Sequence, residues 1–210
     1  MAKIEPFEKY SGRYEDWFLR NEFAYLSEIE AVKKILPDGL GVEIGIGSGR
    51  FAIPLGINFG IDPSMKMLKT ASQNKNLHLA LAIAEKIPFA ENTFDFALMV
   101  TTICFVDDVE KAFSEIRRIL KDGGRIVVGF VDRESEIGKF YQAHKGESLF
   151  YNIAKFFSTD EVLRHLENAG FGDFQLVQTI FRPLSEIDSV EPVRDGYGEG
   201  SFVVVGAKKQ

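Results

Sequence analysis

Apolar positions recur at helical spacing between Tyr14 and Leu36, with Tyr25, Ile29, Val32 and Leu36 on one stripe. Ser27 followed by Glu30 has the form of a capping box that restarts the helix there, and Pro37-Asp38-Gly39 stops it. The period then changes. Residues 40–44 form a short continuous apolar run, followed by the cluster Gly45-Ile46-Gly47-Ser48-Gly49. A second run, residues 57–61, ends at Asp62-Pro63, where Asp can cap a helix and Pro suits its first turn. That helix would turn Met65, Leu68 and Ala71 inward. Residues 77–83 and 94–100 read as two more buried strands, separated by turn signals at Pro88 and Glu91-Asn92. Asp107 with Glu110 predicts a capping box for the clearest helix, whose stripe is Val109, Phe113, Ile116 and Leu120. Asp122-Gly123-Gly124 ends it, and residues 125–131 form another strand.

Strands alternating with helices imply right-handed crossovers and a mostly parallel sheet covered on both faces. After Val131 the alternation lapses. Residues 132–157 are mixed polar and aromatic, too long for an ordinary loop, and read as an insertion or lid. Ser158 with Glu161 caps a further helix bearing Val162, Leu163 and Leu166, closed by Gly170. Two last strands, residues 174–181 and 202–207, have Pro183, Pro192, Gly196, Gly198 and Gly200 between them and no helical pattern. They are expected to pair antiparallel, giving five parallel strands plus a hairpin.

Composition narrows the class. At 210 residues, 45% hydrophobic and 27% charged, the chain is long enough for one domain with a lid and too apolar for wholesale disorder. A net charge of −6 disfavours a general nucleic-acid or anionic-membrane binder. Cys104 is the only cysteine, so neither an intrachain disulfide nor a cysteine-built zinc site can form. No apolar run has the length of a membrane span and no signal-like segment opens the chain, so a cytoplasmic protein is expected.

Candidate chemistry gathers at the glycine cluster. In an open parallel sheet, ligands bind beyond the carboxyl ends of the strands, where strand order reverses. The dinucleotide fingerprint wants Gly or Ala three residues after its second glycine; here that position is Arg50. The phosphate-cradling loop with a terminal Gly-Lys-Ser/Thr is absent. Glu43 lies inside an apolar strand two residues before Gly45, and a buried carboxylate is costly without a partner. A ligand ammonium group would supply one; local backbone amides or a lysine are the structural alternative. Asp62 ends the second strand, where a carboxylate can accept bonds from both ribose hydroxyls of a nucleoside. Its structural alternative is a helix cap, and the two roles are compatible.

These residues resemble a known family. Glu43-Ile44-Gly45-Ile46-Gly47-Ser48-Gly49 is similar to the acidic, glycine-rich first motif of small class I S-adenosylmethionine-dependent methyltransferases related to quinone-biosynthesis C-methyltransferases. Gly60-Ile61-Asp62-Pro63-Ser64 resembles their second motif. Ala84-Glu85-Lys86-Ile87-Pro88-Phe89 with Asn92-Thr93-Phe94-Asp95 resembles the stretch over the adenine. The segment from Glu115 to Gly124 resembles the approach to strand five. The resemblance covers residues 40–131 firmly and the C-terminal helix and hairpin loosely. It implies a Rossmann-like, seven-stranded, mostly parallel α/β sheet with a C-terminal antiparallel hairpin and helices on both faces. It further implies a single domain over residues 1–210, divided into a helical lid (1–39), a cofactor-binding core (40–131), the insertion (132–157) and a C-terminal helix and hairpin (158–210).

The implied cofactor is S-adenosylmethionine. Glu43 would face its methionine amino group, directly or through water, Gly45 and Gly47 would make room for the amino-acid end and ribose, and Ile46 between them would also belong to the cofactor site. Asp62 would hold the ribose hydroxyls, Pro63 would pack beside the adenine, and Ile83 and Ala84 would flank it. Thr101 would line the methyl-transfer pocket. Two departures stand out: Ile83 replaces a frequent Asp, and the short segment from Gly49 to Asp62 implies a truncated first helix.

A sulfonium methyl is already an activated electrophile, so such an enzyme mainly aligns it and excludes water. No catalytic triad or metal cluster is needed. His144, Asp132 and Tyr141 are the available general-base candidates, while His78, His165 and Cys104 read as structural or surface residues. Aromatic residues crowd two segments, with Tyr10, Tyr14, Trp17 and Phe18 in one and Phe140, Tyr141, Phe150, Tyr151, Phe156 and Phe157 in the other. Core packing accounts for such density; if some face the pocket, the acceptor is a small, partly apolar molecule. The motif of DNA-base amino-methyltransferases is absent, so no nucleic-acid partner is expected. A cofactor-binding sensor or partner protein without turnover is the alternative, and a nicotinamide oxidoreductase is disfavoured by Arg50 and Glu43. Acceptor and oligomeric state stay open.

Overall fold

The computed structural model describes residues 4–210. The N-terminal helical pattern is two helices, α1 (Glu5–Arg20) and α2 (Glu22–Ile35). Asn21 breaks them with φ −119° and ψ 44°, and its side-chain amide donates to the Trp17 carbonyl at 2.9 Å. Ser27 does not cap a restart. It sits in mid-helix and donates to the Phe23 carbonyl at 2.6 Å, the back-bond that a serine makes inside a helix.

Eight strands form one sheet: β1 (Gly41–Ile44), β2 (Phe59–Asp62), β3 (His78–Leu81), β4 (Phe94–Val100), β5 (Leu120–Val131), β6 (Phe171–Thr179), β7 (Arg194–Asp195) and β8 (Phe202–Lys209). Their order is β3-β2-β1-β4-β5-β8-β6-β7. The first five are parallel, and β8 runs antiparallel between β5 and β6. The expected hairpin is present, and the sheet has eight strands rather than seven because Arg194–Asp195 pairs with β6. Two polar residues carry no apolar alternation, so nothing in the sequence marks them as a strand.

The remaining helices are α3 (Met65–Ala71), α4 (Val109–Ile119), α5 (Glu136–Ala143) and α6 (Thr159–Asn168). Two of them start one or two residues later than predicted. Ser64, not Asp62, caps α3 by accepting from the Met67 amide, which turns Met67 into the core and leaves Met65 exposed. Asp108, not Asp107, caps α4 by accepting from the Lys111 amide. The box at α6 forms as predicted, Ser158 and Glu161 satisfying each other's amides. Between Gly49 and β2 the chain makes turns and no α-helix, as the short segment implied.

Both sheet faces are packed. α4 and α6 cover one, with Phe113, Ile116 and Leu166 against Val42, Met99 and Val128. α2 and the turns after the glycine cluster cover the other, with Ile29, Val32, Phe51 and Ile57 against Leu98, Val127 and Val204. β1 and β4 are neighbours, and their connections leave toward opposite edges. The crevice at their carboxyl ends is where such a sheet takes a ligand.

Candidate functional site

A cavity of about 550 Å3 opens at that crevice, within the range of small-molecule sites. Its floor is the loop after β1, the end of β2, the turn after β3 and the end of β4. Its roof is α1 together with α5 and the segment that follows, through Tyr151.

The loop after β1 turns on glycines at positive φ, +77° at Gly45 and +54° at Gly47. At Gly45 a side chain has no room as well, since a Cβ there would lie 2.3 Å from Thr102 Oγ1. Gly45→Ala therefore combines left-handed strain with overpacking. A loss of about 2 kcal/mol is expected, read as a lower urea midpoint at unchanged slope.

Asp62 holds the loop from the other side. Its Oδ2 accepts from the Gly47 amide at 2.9 Å, and its Oδ1 accepts from the Ser64 amide at 2.8 Å. Each oxygen keeps acceptor capacity for the cavity that the residue lines. Burial raises the Asp62 pKa to about 6, the two backbone amides opposing it. Pro63 also lines the cavity, as do Ile83 and Ala84 in the turn after β3. Thr101, just after β4, has φ +49°, and Ile180, another cavity residue, has φ +64°. β-branched residues rarely adopt that conformation, and such strain clusters at binding sites.

Seven of the nine residues expected at the cofactor thus line one cavity: Gly45, Gly47, Asp62, Pro63, Ile83, Ala84 and Thr101. Glu43 and Ile46 do not reach its wall. Ile46 packs over Gly60. Glu43 lies buried beneath the loop, where the Ala52 amide donates to its carboxyl and Oε2 has no hydrogen-bond partner among the described residues. Burial drives its pKa well above the usual carboxylate range, and nearby Asp62 pushes the same way.

Arg50 ties α1 to this floor. Its guanidinium pairs with Glu15 of α1 and lies 5.1 Å from the Phe18 ring centroid, while its carbonyl accepts from the Tyr25 hydroxyl at 2.5 Å. Glu8 adds a second tie by accepting from the Ser64 hydroxyl at 2.6 Å. Tyr14 is held over the loop, its hydroxyl 3.6 Å from where a Gly47 Cβ would stand.

The general-base candidates separate. Asp132 accepts from the Glu134 amide and from the Thr159 amide and hydroxyl, which makes it a cap rather than a cavity residue. His144 lines the cavity, but its Nδ1 is engaged with the Phe140 carbonyl at 2.9 Å. Tyr141 lines it too, with its ring centroid 4.6 Å from that of Tyr151. The aromatic crowding divides likewise. Tyr14, Trp17, Phe18, Phe140, Tyr141, Phe150 and Tyr151 face the cavity, whereas Tyr10, Phe156 and Phe157 do not. Among the described residues no cluster of three metal-ligating side chains exists, and no helix is long and apolar enough to cross a membrane.

Among the cavity residues not marked by the sequence, which include Arg13, Arg20 and Glu147, one is a buried acid. Glu28 of α2 is 6% exposed and lines the cavity. Burial alone raises its pKa to about 8. The signal was a stripe offset from the one identified: Ala24, Glu28, Ala31 and Ile35 share a helix face, so this glutamate occupies an otherwise apolar position.

The sheet order, the glycine loop and the acid ending β2 define a nucleoside-binding α/β protein. Comparison with known proteins agrees. Residues 42–128 match a methyltransferase domain family. An uncharacterised protein of Methanocaldococcus jannaschii is 43% identical over 206 residues, 98% of this chain and 100% of its own length. The crystal structure of an S-adenosylmethionine-dependent methyltransferase of Thermotoga maritima, a possible histamine N-methyltransferase, superimposes with a TM-score of 0.95 at 51% identity, covering 98% of each chain. The ubiquinone/menaquinone biosynthesis C-methyltransferase of Rickettsia felis is 30% identical over 166 residues, 62% of this chain and 67% of the relative. The chain belongs to the class I S-adenosylmethionine-dependent methyltransferases. Its cofactor is S-adenosylmethionine and its reaction is methyl transfer.

Proposed function

We propose that this enzyme methylates a small molecule, with the cofactor lying along the floor from Ile83 and Ala84 to Gly45 and the acceptor beneath the aromatic roof. The observation that carries this reading is the Asp62 carboxylate, fixed by two backbone amides with acceptor capacity left toward the cavity. That geometry suits a pair of ribose hydroxyls. Pro63, Ile83 and Ala84 offer apolar surface for an adenine. Gly45 and Gly47 leave the wall free of side chains where the amino-acid end would run. Glu43 acts at one remove: an unpartnered buried acceptor beneath the loop favours a positively charged ligand above it without touching it.

The cofactor, when bound, supplies an activated methyl electrophile. The protein's part is alignment and exclusion of water. Arg50 and Glu8 anchor α1 as cover, and residues 132–157 complete the roof as an acceptor lid. Tyr14, Trp17, Tyr141 and Tyr151 make the acceptor end aromatic with a few polar tips. The Thermotoga protein's possible acceptor, histamine, is likewise a small molecule.

A crystal structure with S-adenosylhomocysteine tests the assignment. The ribose hydroxyls are expected within hydrogen-bond distance of Asp62 and the adenine against Pro63, Ile83 and Ala84. Ligand density in another cavity, or a ribose turned away from Asp62, rejects it.

A further inference from the structure

The cavity holds a buried group to which the cofactor assignment gives no role. Glu28 is more than nine-tenths buried, lines the cavity wall, and has no hydrogen-bond or ion-pair partner among the described residues. Its surroundings are aromatic. It acts electrostatically on the hydroxyls of Tyr14, Tyr141 and Tyr151, which line the same cavity, and Trp17 lies beside Tyr141. No lysine, arginine or histidine contributes to its electrostatics. A carboxyl in such a place is costly, and conformational packing does not require it, since Ala24 and Ala31 on the same helix face are accommodated without charge.

We infer that Glu28 and the surrounding tyrosine and tryptophan rings recognise the protonated nitrogen of a small amine, which makes an amine the class of methyl acceptor. The inference rests on the small-molecule reading above and adds the chemistry of the substrate. Arg13 and Arg20 also line the cavity, but neither pairs with Glu28; an ammonium supplies what that carboxyl lacks, a positive charge and N–H donors, while the aromatic faces attract the same cation. An anionic acceptor would meet a like charge or force Glu28 to stay protonated. A neutral acceptor would leave the carboxyl without an ionic partner. Because the cofactor shares the cavity, the acceptor is small, and the lining favours one with an aromatic or apolar body.

Calorimetry on the protein saturated with S-adenosylhomocysteine separates these cases. Phenethylamine, tyramine and tryptamine are titrated beside 2-phenylethanol, tyrosol and tryptophol, which carry a hydroxyl in place of the ammonium. Each amine that binds is expected to do so at least tenfold more tightly than its alcohol. Glu28→Gln is expected to abolish that preference while binding S-adenosylhomocysteine as the wild type does. Equal affinity for amines and alcohols, failure of all three amines to bind, or a preference that survives in the variant overturns the inference. A variant with weakened S-adenosylhomocysteine binding overturns it as well, because Glu28 would then serve the cofactor. Failure of the wild type to bind S-adenosylhomocysteine, seen before any amine is added, instead sinks the underlying assignment of the cavity.

Discussion

Between pH 5 and pH 8 the ligand-free wild type is expected to lose about 3–4 kcal/mol more stability than Glu28→Gln. The carboxyl titrates near 4.5 when exposed and near 8 in the fold, where burial is the only cause of the difference. Over that window the folded chain binds more protons than the unfolded chain, so stability falls as pH rises. The contribution is fully present below the ordinary carboxylate range and gone above about pH 8, and each tenfold difference in proton affinity between the two states corresponds to about 1.4 kcal/mol. Glu43 and Asp62 move in the same direction and add to the wild-type slope, but both remain in the variant. The tyrosines facing Glu28 do not ionise in this range, since Tyr14, Tyr25, Tyr141 and Tyr151 are all raised. A buried Gln amide carries its own cost, roughly independent of pH, so the change in the gap is the quantity to read. Urea unfolding of both proteins at pH 5, 6, 7 and 8 measures it. Parallel curves would mean that Glu28 is ionised inside the fold or exposed.

The same physics explains what could be read from the sequence. β4 is buried from Phe96 to Val100, so those residues form an unbroken apolar run that needs no tertiary knowledge to recognise. The capping box at α6 was legible because both partners are local. The break at Asn21 was not, because the residues on either side keep a helical pattern and only the local bond to Trp17 marks the bend. Ser64 displaces Asp62 as the cap of α3 because Asp62 is already committed to the Gly47 and Ser64 amides, a fact that depends on the loop folding back.

The site divides in the same way. Gly45, Gly47 and Asp62 were identifiable because conformation and position along a strand are written locally. Glu43 was recognisable as an anomaly, but which atoms it would meet depends on the turn at Ala52 closing beneath the loop. Glu28 was concealed by its neighbours: Ser27 and Glu30 have the form of a capping box, which makes Glu28 an acid of a first helical turn until α2 is seen to run through unbroken from Glu22 to Ile35. Whether an acid is solvent-facing or functional is decided by helix orientation, which a single stripe of apolar residues sets only to within one neighbouring position.

Asp62→Asn is expected to weaken S-adenosylhomocysteine binding by about two orders of magnitude, which corresponds to about 2.7 kcal/mol. In the wild type both oxygens accept, one from Gly47 and one from Ser64, and each retains capacity for a hydroxyl. An asparagine has one acceptor oxygen; its NH2 must face either the Gly47 or the Ser64 amide, donor against donor. Charge-assisted bonds to the ribose become neutral at the same time, and such bonds contribute about 1.5–3 kcal/mol each. A second readout separates loss of the carboxylate from general damage to the loop. Hydroxyl donors favour the ionised form, so binding lowers the Asp62 pKa below its free value of about 6. Wild-type affinity should therefore decline as pH falls through 6, because an increasing share of the free protein must first release a proton. The asparagine variant has no such group and should show little dependence between pH 5 and pH 7. Calorimetry across that range yields both numbers, and a wild type whose affinity is flat through pH 6 would remove Asp62 from the cofactor's ribose.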